Sequence, residues 1–194
     1  MLEIRGVFRK RTTILCNGTN NKIVVDSGLT RLTNCSIRII GNNNTIHIGA
    51  GCKLNNTSFH IEDNGGRIAL GERTIIHGLT HIAVIEGKSV EIGSNCLFSA
   101  NITIRTGDSH SILDKSGKRI NPSKDIMIGN HVWIGNTATI LKGTKVNNNS
   151  VIATGAILTG KEFPSNCIVG GFGGKILKSE VDWCSERIPI DNQI

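Results

Sequence analysis

Residues 128–163 read IGNHVW IGNTAT ILKGTK VNNNSV IATGAI LTGKEF, and they fall into units of six without a gap. Ile128, Ile134, Ile140, Val146, Ile152 and Leu158 open the units, so one aliphatic column recurs at a fixed step. Two residues ahead of each stand Ile126, Val132, Ala138, Thr144, Ser150 and Ala156, most of them small or β-branched. Side chains two apart share one face of a strand, so each unit reads as a short strand followed by a turn. A helix would need apolar residues at i, i+3, i+4 and i+7, and segments such as ITIRT, IMIGN and VIATG alternate instead. Three six-residue steps close a triangle, giving coils of about 18 residues that stack and satisfy one another's backbone groups.

Upstream the period lengthens. VVDSGLTRLTNCSIRIIGNNNT (24–45), IHIGAGCKLNNTSFHIEDNGGR (46–67), IALGERTIIHGLTHIAVIEGKS (68–89) and VEIGSNCLFSANITIRTGDSHS (90–111) align without gaps. Their columns agree in character: Val24, Ile46, Ile68, Val90; Asp26, Ile48, Leu70, Ile92; Thr30, Cys52, Thr74, Cys96; Leu32, Leu54, Ile76, Phe98. A coil with a few extra residues at one corner accounts for this longer unit. His60 falls in an inward column as a hydrogen-bonded core residue, while His47, between two inward isoleucines, faces out. The expected architecture is an all-β parallel β-helix over 24–174, with residues 1–23 as a cap or first coil and 175–194 as a short tail. The closing stretch SEVDWCSERIPIDNQI (179–194) reads as a short amphipathic turn or helix that packs Val181 and Trp183 on a neighbouring face.

Composition bounds the alternatives. With 38% hydrophobic residues the chain supports one cored domain and is too apolar for disorder. No apolar run approaches the roughly 20 residues that span a bilayer, and the N-terminus MLEIRGVFRKRTT lacks an apolar signal core, so a cytoplasmic location with no integral membrane segment is expected. Cys52 and Cys96 share a column two coils apart, about 10 Å at 4.8 Å per layer, which is too far for a disulfide; free thiols are expected. Sequons such as Asn17-Gly18-Thr19 and Asn101-Ile102-Thr103 read as turns, in keeping with abundant Asn and Gly. The net charge of +7 raises nucleic acid, but no aromatic-interleaved basic face exists and Tyr is absent. An anionic cofactor or anionic sugar suits that balance as well, and Arg9, Lys10 and Arg11 supply part of it at a solvated terminus.

The rhythm stops once, at TGDSHSILDKSGKRINPSKD (106–125), a loop long enough to imply a task. It holds out His110, with Asp108 and Asp114 nearby. A neutral imidazole within reach can take the proton of an attacking nucleophile. A carboxylate on the other ring nitrogen would fix its tautomer, and either aspartate is near enough in sequence; either also serves as a turn residue. No Cys or Ser stands in a nucleophile motif beside a base, which favours direct transfer over an acyl-enzyme. Trp133 precedes inward Ile134 and so points off the solenoid, where a subunit contact or a ligand would cover it.

The tandem hexapeptides, with HVWIG (131–135) among them, resemble those of the left-handed β-helix acyltransferases. TGDSH (106–110) resembles the catalytic-histidine loop of the bacterial O-acetyltransferases that act on lipopolysaccharide and sialic-acid capsules. The resemblance implies a left-handed coil, against the right-handed rule for parallel crossovers, and a homotrimer with sites between protomers. It implies acetyl-CoA-dependent O-acetylation of a cell-surface sugar, with His110 as general base, Trp133 beside it and Asp108 as a candidate third member, and no metal. It places coenzyme A along Trp133, Gly135, Asn136, Thr154, Thr159, Gly160 and Lys161, with Lys175 and Lys178 toward its phosphates. The family's usual GNPAK is replaced by GGFGGK (170–175), so the turn there is expected to differ. Alternatives are N-acetylation of a nucleotide-linked amino sugar, a zinc-dependent γ-type carbonic anhydrase using His77, His81 and His110, and a non-catalytic solenoid.

Overall fold

Alternation at every strand and a turn every few residues leave the chain no way to fold except by coiling, and coiling is what the computed structural model shows for the residues it describes, 1–4 and 7–189. Successive strands visit three sheets in turn. The first face stacks Leu2–Ile4, Lys22–Val25, Thr45–Ile48, Arg67–Leu70, Ser89–Ile92, Ile126–Ile128, Lys145–Val146 and Glu162–Phe163. The second stacks Phe8–Lys10, Arg31–Thr33, Lys53–Asn55, Ile75–Ile76, Leu97–Phe98, Trp133–Ile134, Val151–Ile152 and Cys167–Gly170, with Lys175–Ser179 added at its end. The third stacks Thr13–Asn17, Ser36–Ile40, Thr57–Glu62, Thr80–Val84, Ile102–Arg105, Thr139–Leu141 and Ile157–Leu158. Within these three sheets the strands pair in parallel except Cys167–Gly170 with Lys175–Ser179. Among the described residues no helix is long and apolar enough to cross a membrane.

The inward columns meet along the prism axis. Ile128, Ile134, Ile140, Val146, Ile152 and Leu158 are all buried, and so are Ile126, Val132, Ala138, Thr144, Ser150 and Ala156 two positions earlier. Each buried aliphatic side chain contributes roughly 1.5–3 kcal/mol, repeated at every rung. Phe59 and Phe98, both fully buried, fill the wider coils. Cys52 and Cys96 are free thiols, and burial pushes each up to about 11.

Corners carry the turns. Asparagine works there in two ways: several adopt the left-handed conformation, including Asn43, Asn56, Asn95 and Asn149, and others bridge coils through the side chain. Asn130 Oδ1 accepts Ser94 N at 2.8 Å, and Asn148 Oδ1 accepts Asn130 N at 2.8 Å. One corner admits only glycine: at Gly41, with φ 122°, a β-carbon would lie 1.9 Å from Asp63 O.

Two expectations are corrected, and a third is narrowed. The ungapped 22-residue alignment fails at its first unit, where Ile23, not Val24, pairs with Ile46, and Val25, not Asp26, pairs with Ile48, and again on the third face, where Phe59, not His60, pairs with Ile82. An extra residue in the turn before Leu32 absorbs the slip, since Leu32 still pairs with Leu54; Asp26 in an aliphatic column was the sign. His60 points outward, between buried Phe59 and Ile61. The segment after Ser179 is not helical over its described part, and residues 190–194 lie outside the described residues. Residues 1–23 supply one strand to each face, a first coil.

The register makes a test. Ile23→Ala should destabilise by about 2–4 kcal/mol through a core cavity, whereas Val24→Ala should stay near 0.5 kcal/mol; urea denaturation of the two variants decides between the registers.

Candidate functional site

The long loop leaves the third face at Thr106 and returns to the first at Ile126, so it springs from the corner between those faces. Its neck is tight: Lys124 N donates to Thr106 O at 2.9 Å. A β-carbon at Gly107 would meet Ser123 Oγ at 2.2 Å and Ile85 Cδ1 at 2.5 Å, so a side chain at this exit would have to displace both. Farther out, an antiparallel bridge between Leu113 and Arg119 makes a small hairpin. Asp114 holds its turn, accepting Ser116 N at 2.8 Å, Ser116 Oγ at 2.6 Å and Lys118 N at 3.0 Å. That carboxylate belongs to the hairpin tip and does not orient His110.

Asn121 organises the loop's interior. Its Oδ1 accepts Ile112 N at 2.8 Å and Arg119 Nε at 3.1 Å, and its Nδ2 donates at 2.8 Å to both Asp108 Oδ2 and the His110 carbonyl. Lys142, from the strand Thr139–Leu141 onward, bonds Asp108 Oδ2 from the body of the prism. Lys142 first, then Asn121, holds the Asp108 carboxyl below the usual carboxylate range. On the other side Glu86 accepts Ser123 N at 3.0 Å and pairs with Arg119 Nη1 at 2.5 Å; Arg119 and Ser123 hold its carboxyl low too. Ser109, at φ 65°, accepts Arg105 Nη2 at 2.7 Å. Between these anchors His110 is exposed, and its ring nitrogens meet no protein partner among the described residues. Asp108 thus bonds not to the imidazole but to the amide that holds its backbone. Sequence reading missed Asn121, Lys142, Glu86 and Arg119; only the Asn121-Pro122 step in the loop hinted at a fixed turn.

Trp133 sits on the second face, 39% exposed, with Nε1 donating to Ser99 Oγ at 3.4 Å. The tail covers part of it: the Trp183 ring lies 6.0 Å away at 45°. The remaining predicted residues divide between two corners. Gly135, Asn136 and Thr154 stack where the second face turns to the third: Asn136 Oδ1 accepts Ala100 N at 2.9 Å, and Asn136 O accepts Gly155 N at 2.8 Å. A β-carbon at Gly135 would stand 2.7 Å from Thr154 N. Lys175 joins this corner because it pairs with Gly170, beyond Ala153. Lys178 pairs with Ile168 on the second face. Thr159, Gly160 and Lys161 belong to the other corner, where the loop springs; Thr159 and Gly160 line a pocket of about 330 Å³ with Asp108, Lys124, Leu141 and Lys142. The GGFGG turn is no loose exit: Phe172 bridges to Ile157, and Gly174 lies so close over Phe163 and Leu158 that a β-carbon would sit 2.3 Å from Phe163 Cζ. It plugs the end of the core. His77 and His81 stand at different faces, as their four-residue spacing requires.

Four similarities bear on this geometry. The family model for the bacterial transferase hexapeptide (six repeats) matches residues 125–160. A polysialic acid O-acetyltransferase of Neisseria meningitidis is 32% identical over 148 residues, 65% of this chain and 68% of the relative. One of Escherichia coli O1:K1 / APEC is 34% identical over 124 residues, 63% of this chain but only 40% of that longer relative. Among solved structures, the polySia specific acetyltransferase NeuO superposes with a TM-score of 0.68 at 25% identity, covering 91% of this chain and 90% of its own. With its coils, its inserted histidine loop and these relatives, the chain belongs to the bacterial hexapeptide-repeat acyltransferases.

Proposed function

We propose that the protein transfers an acetyl group from acetyl-CoA to a hydroxyl of an anionic bacterial surface sugar, a sialic-acid polymer being the acceptor suggested by the relatives' names. The observation that carries the reading is His110, a solvent-facing imidazole on a loop pinned at Asn121, Lys142 and Glu86. The neutral ring takes the hydroxyl proton as the oxygen attacks the thioester carbonyl, and the imidazolium returns it to the departing sulfur. The loop anchors keep that ring from wandering, which is what a transfer within a ternary complex demands. Asp108 acts by position: with Lys142 it sets Asn121, and Asn121 sets the His110 backbone.

His110 and Trp133 stand on opposite sides of one prism. The loop springs from the corner between the third and first faces, and Trp133 lies on the second face, across the triangle from that corner. A site that uses both needs two copies, which supports a homotrimer with the loop of one protomer over the second face of the next. The same arrangement explains the division of donor residues: Trp133, Gly135, Asn136, Thr154, Lys175 and Lys178 line one wall of the groove, and Thr159, Gly160 and Lys161 the other. The residues present fit coenzyme A, since Gly155 leaves this corner bare of a β-carbon where an extended pantetheine arm would pass, and the two lysines sit as point charges for its phosphates. Acetyl-CoA supplies an acyl group on a good leaving thiol, and a cytoplasmic location would give access to it. N-acetylation of an amino sugar is the second reading; the same base would serve it, and an acceptor panel separates the two.

His110→Ala should lower kcat for sugar acetylation by about 10²–10⁴-fold with an unchanged melting temperature; a variant that kept most of its rate would remove the base assignment. Asn121→Ala should cut kcat roughly tenfold to a hundredfold while KM for acetyl-CoA stays within a factor of two, as expected for a misplaced base. Replacing Lys175 and Lys178 together by Gln should raise KM for acetyl-CoA several-fold, and added salt should shrink the difference, as screening of phosphate contacts requires.

A further inference from the structure

The C-terminal segment builds a cleft. After Lys175–Ser179 the chain turns at Glu180, φ 58°, and climbs the corner between the first and second faces. Val181 N donates to Asn166 O at 3.0 Å, and Trp183 reaches His131. The two rings stack with centroids 4.3 Å apart and planes 7° from parallel. The indole N–H donates to the His131 carbonyl at 2.8 Å, His131 Nε2 lies 2.9 Å from the Trp183 carbonyl, and Asp182 Oδ1 stands 3.3 Å from the same nitrogen. Several contacts between residues 52 apart fix the segment firmly. It leaves a hollow of about 350 Å³ against the prism, lined chiefly by Arg73, Ile75, Asn95, Leu97, His131 and Trp183.

We infer that this cleft is an acceptor subsite that holds one sugar ring bearing a carboxylate, an inference that rests on the sugar-acetylation reading above. Ile75, Leu97 and the indole offer apolar surface for the C–H face of a sugar, and Asn95 and Arg73 offer polar groups at its rim. Arg73 is pre-set: Nε donates to Asn95 Oδ1 at 2.9 Å and Nη1 pairs with Glu72 at 2.9 Å, so Nη2 is the terminus with no partner among the described residues. The Glu72 carboxylate partly offsets that charge, and the neighbouring rungs restore it. In the outward row of the second face Ile75 adjoins Lys53, and Lys53 adjoins Arg31. Neither has an ion-pair partner among the described residues. An anionic chain leaving the cleft toward the N-terminal coils therefore meets positive charge at successive steps of about 4.8 Å. In the other direction the same row runs from Leu97 to Trp133. The cleft thus borders the aromatic wall on the side away from Lys175 and Lys178, as an acceptor must if the donor lies over the last coils.

The test is binding and turnover measured side by side, with a sialic-acid oligomer and the same oligomer with its carboxylates reduced to alcohols. Saturation-transfer NMR and titration on the full chain should show Trp183→Leu weakening both ligands at least tenfold. Arg73→Met should weaken the native oligomer tenfold and leave the reduced one nearly unchanged. KM for acetyl-CoA should stay within twofold in both variants, and Trp183→Phe, which keeps the stack, should restore most of the binding. Unchanged binding in Trp183→Leu and Arg73→Met, or equal loss of both ligands in Arg73→Met, overturns the subsite. So does a change of oligomeric state in Trp183→Leu by analytical ultracentrifugation, which would make the cleft a subunit contact. A wild type that binds the oligomer here but moves no acetyl group to it overturns the reaction and leaves the subsite standing. A wild type that acetylates the oligomer with acceptor KM unchanged in both variants does the opposite.

Discussion

The parallel ladder between coils is the interaction on which everything else depends. Each strand gives its backbone donors and acceptors to the strands above and below, so a residue's neighbours in space are those one full coil away. That fixes the character of every column: Ile68 faces Ile46 and Val90, and Ile134 faces Phe98 and Ile152, because a polar residue there would lie in a core with no water. Coil length, by contrast, is free to vary, provided the change falls in a corner. Lys53 and Ile75 pair across 22 residues, Lys145 and Met127 across 18, and Glu162 and Lys145 across 17, with the inward columns undisturbed.

The same freedom lets the scaffold carry His110 on a long loop. The chain from Arg105 to Ile126 is one corner insertion, and the ladder closes beneath it: Val90 pairs with Ile126, Leu97 with Trp133, and Thr103 with Thr139. The ladder continues on either side of the loop, with Asp125 Oδ1 accepting Ser89 N at 2.7 Å at its return, and closure entropy grows only slowly with its length. What the insertion lacks is a core of its own. Polar contacts replace one: Asn121, buried at 7% exposure, with Asp108 and Lys142 on one flank and Arg119 and Glu86 on the other.

This division explains what could be read from the sequence. Columns are periodic, so the aliphatic ladder, the outward Trp133, the free Cys52 and Cys96 and the place of the loop were all legible. Features fixed by tertiary contact were not. Lys142 reads as one more lysine in a repeat, and its meeting with Asp108 depends on how the loop folds back. Trp183 reads as a tail residue, and nothing in its neighbourhood names His131 as its partner. The misreadings have the same origin: an ungapped period cannot sense one extra corner residue before Leu32, which put Val24 where Ile23 belongs, nor another before Thr80, which put His60 where Phe59 belongs, in the column of Ile82.

A triangular prism also constrains where chemistry is possible. Its interior is filled by side chains, so a deep site must come from something added to an edge. This chain adds two things, at two edges. The inserted loop stands at the corner between the third and first faces, and the returning tail stands at the corner between the first and second. The second face, bearing Trp133, lies between the tail and the Asn136 corner and has no loop of its own to close over it. In a cyclic assembly each protomer would lend its loop to a neighbour's second face, and three identical corners would complete three sites by symmetry. One insertion per chain would then suffice, because the wall that it lacks on its own prism would be supplied by the next.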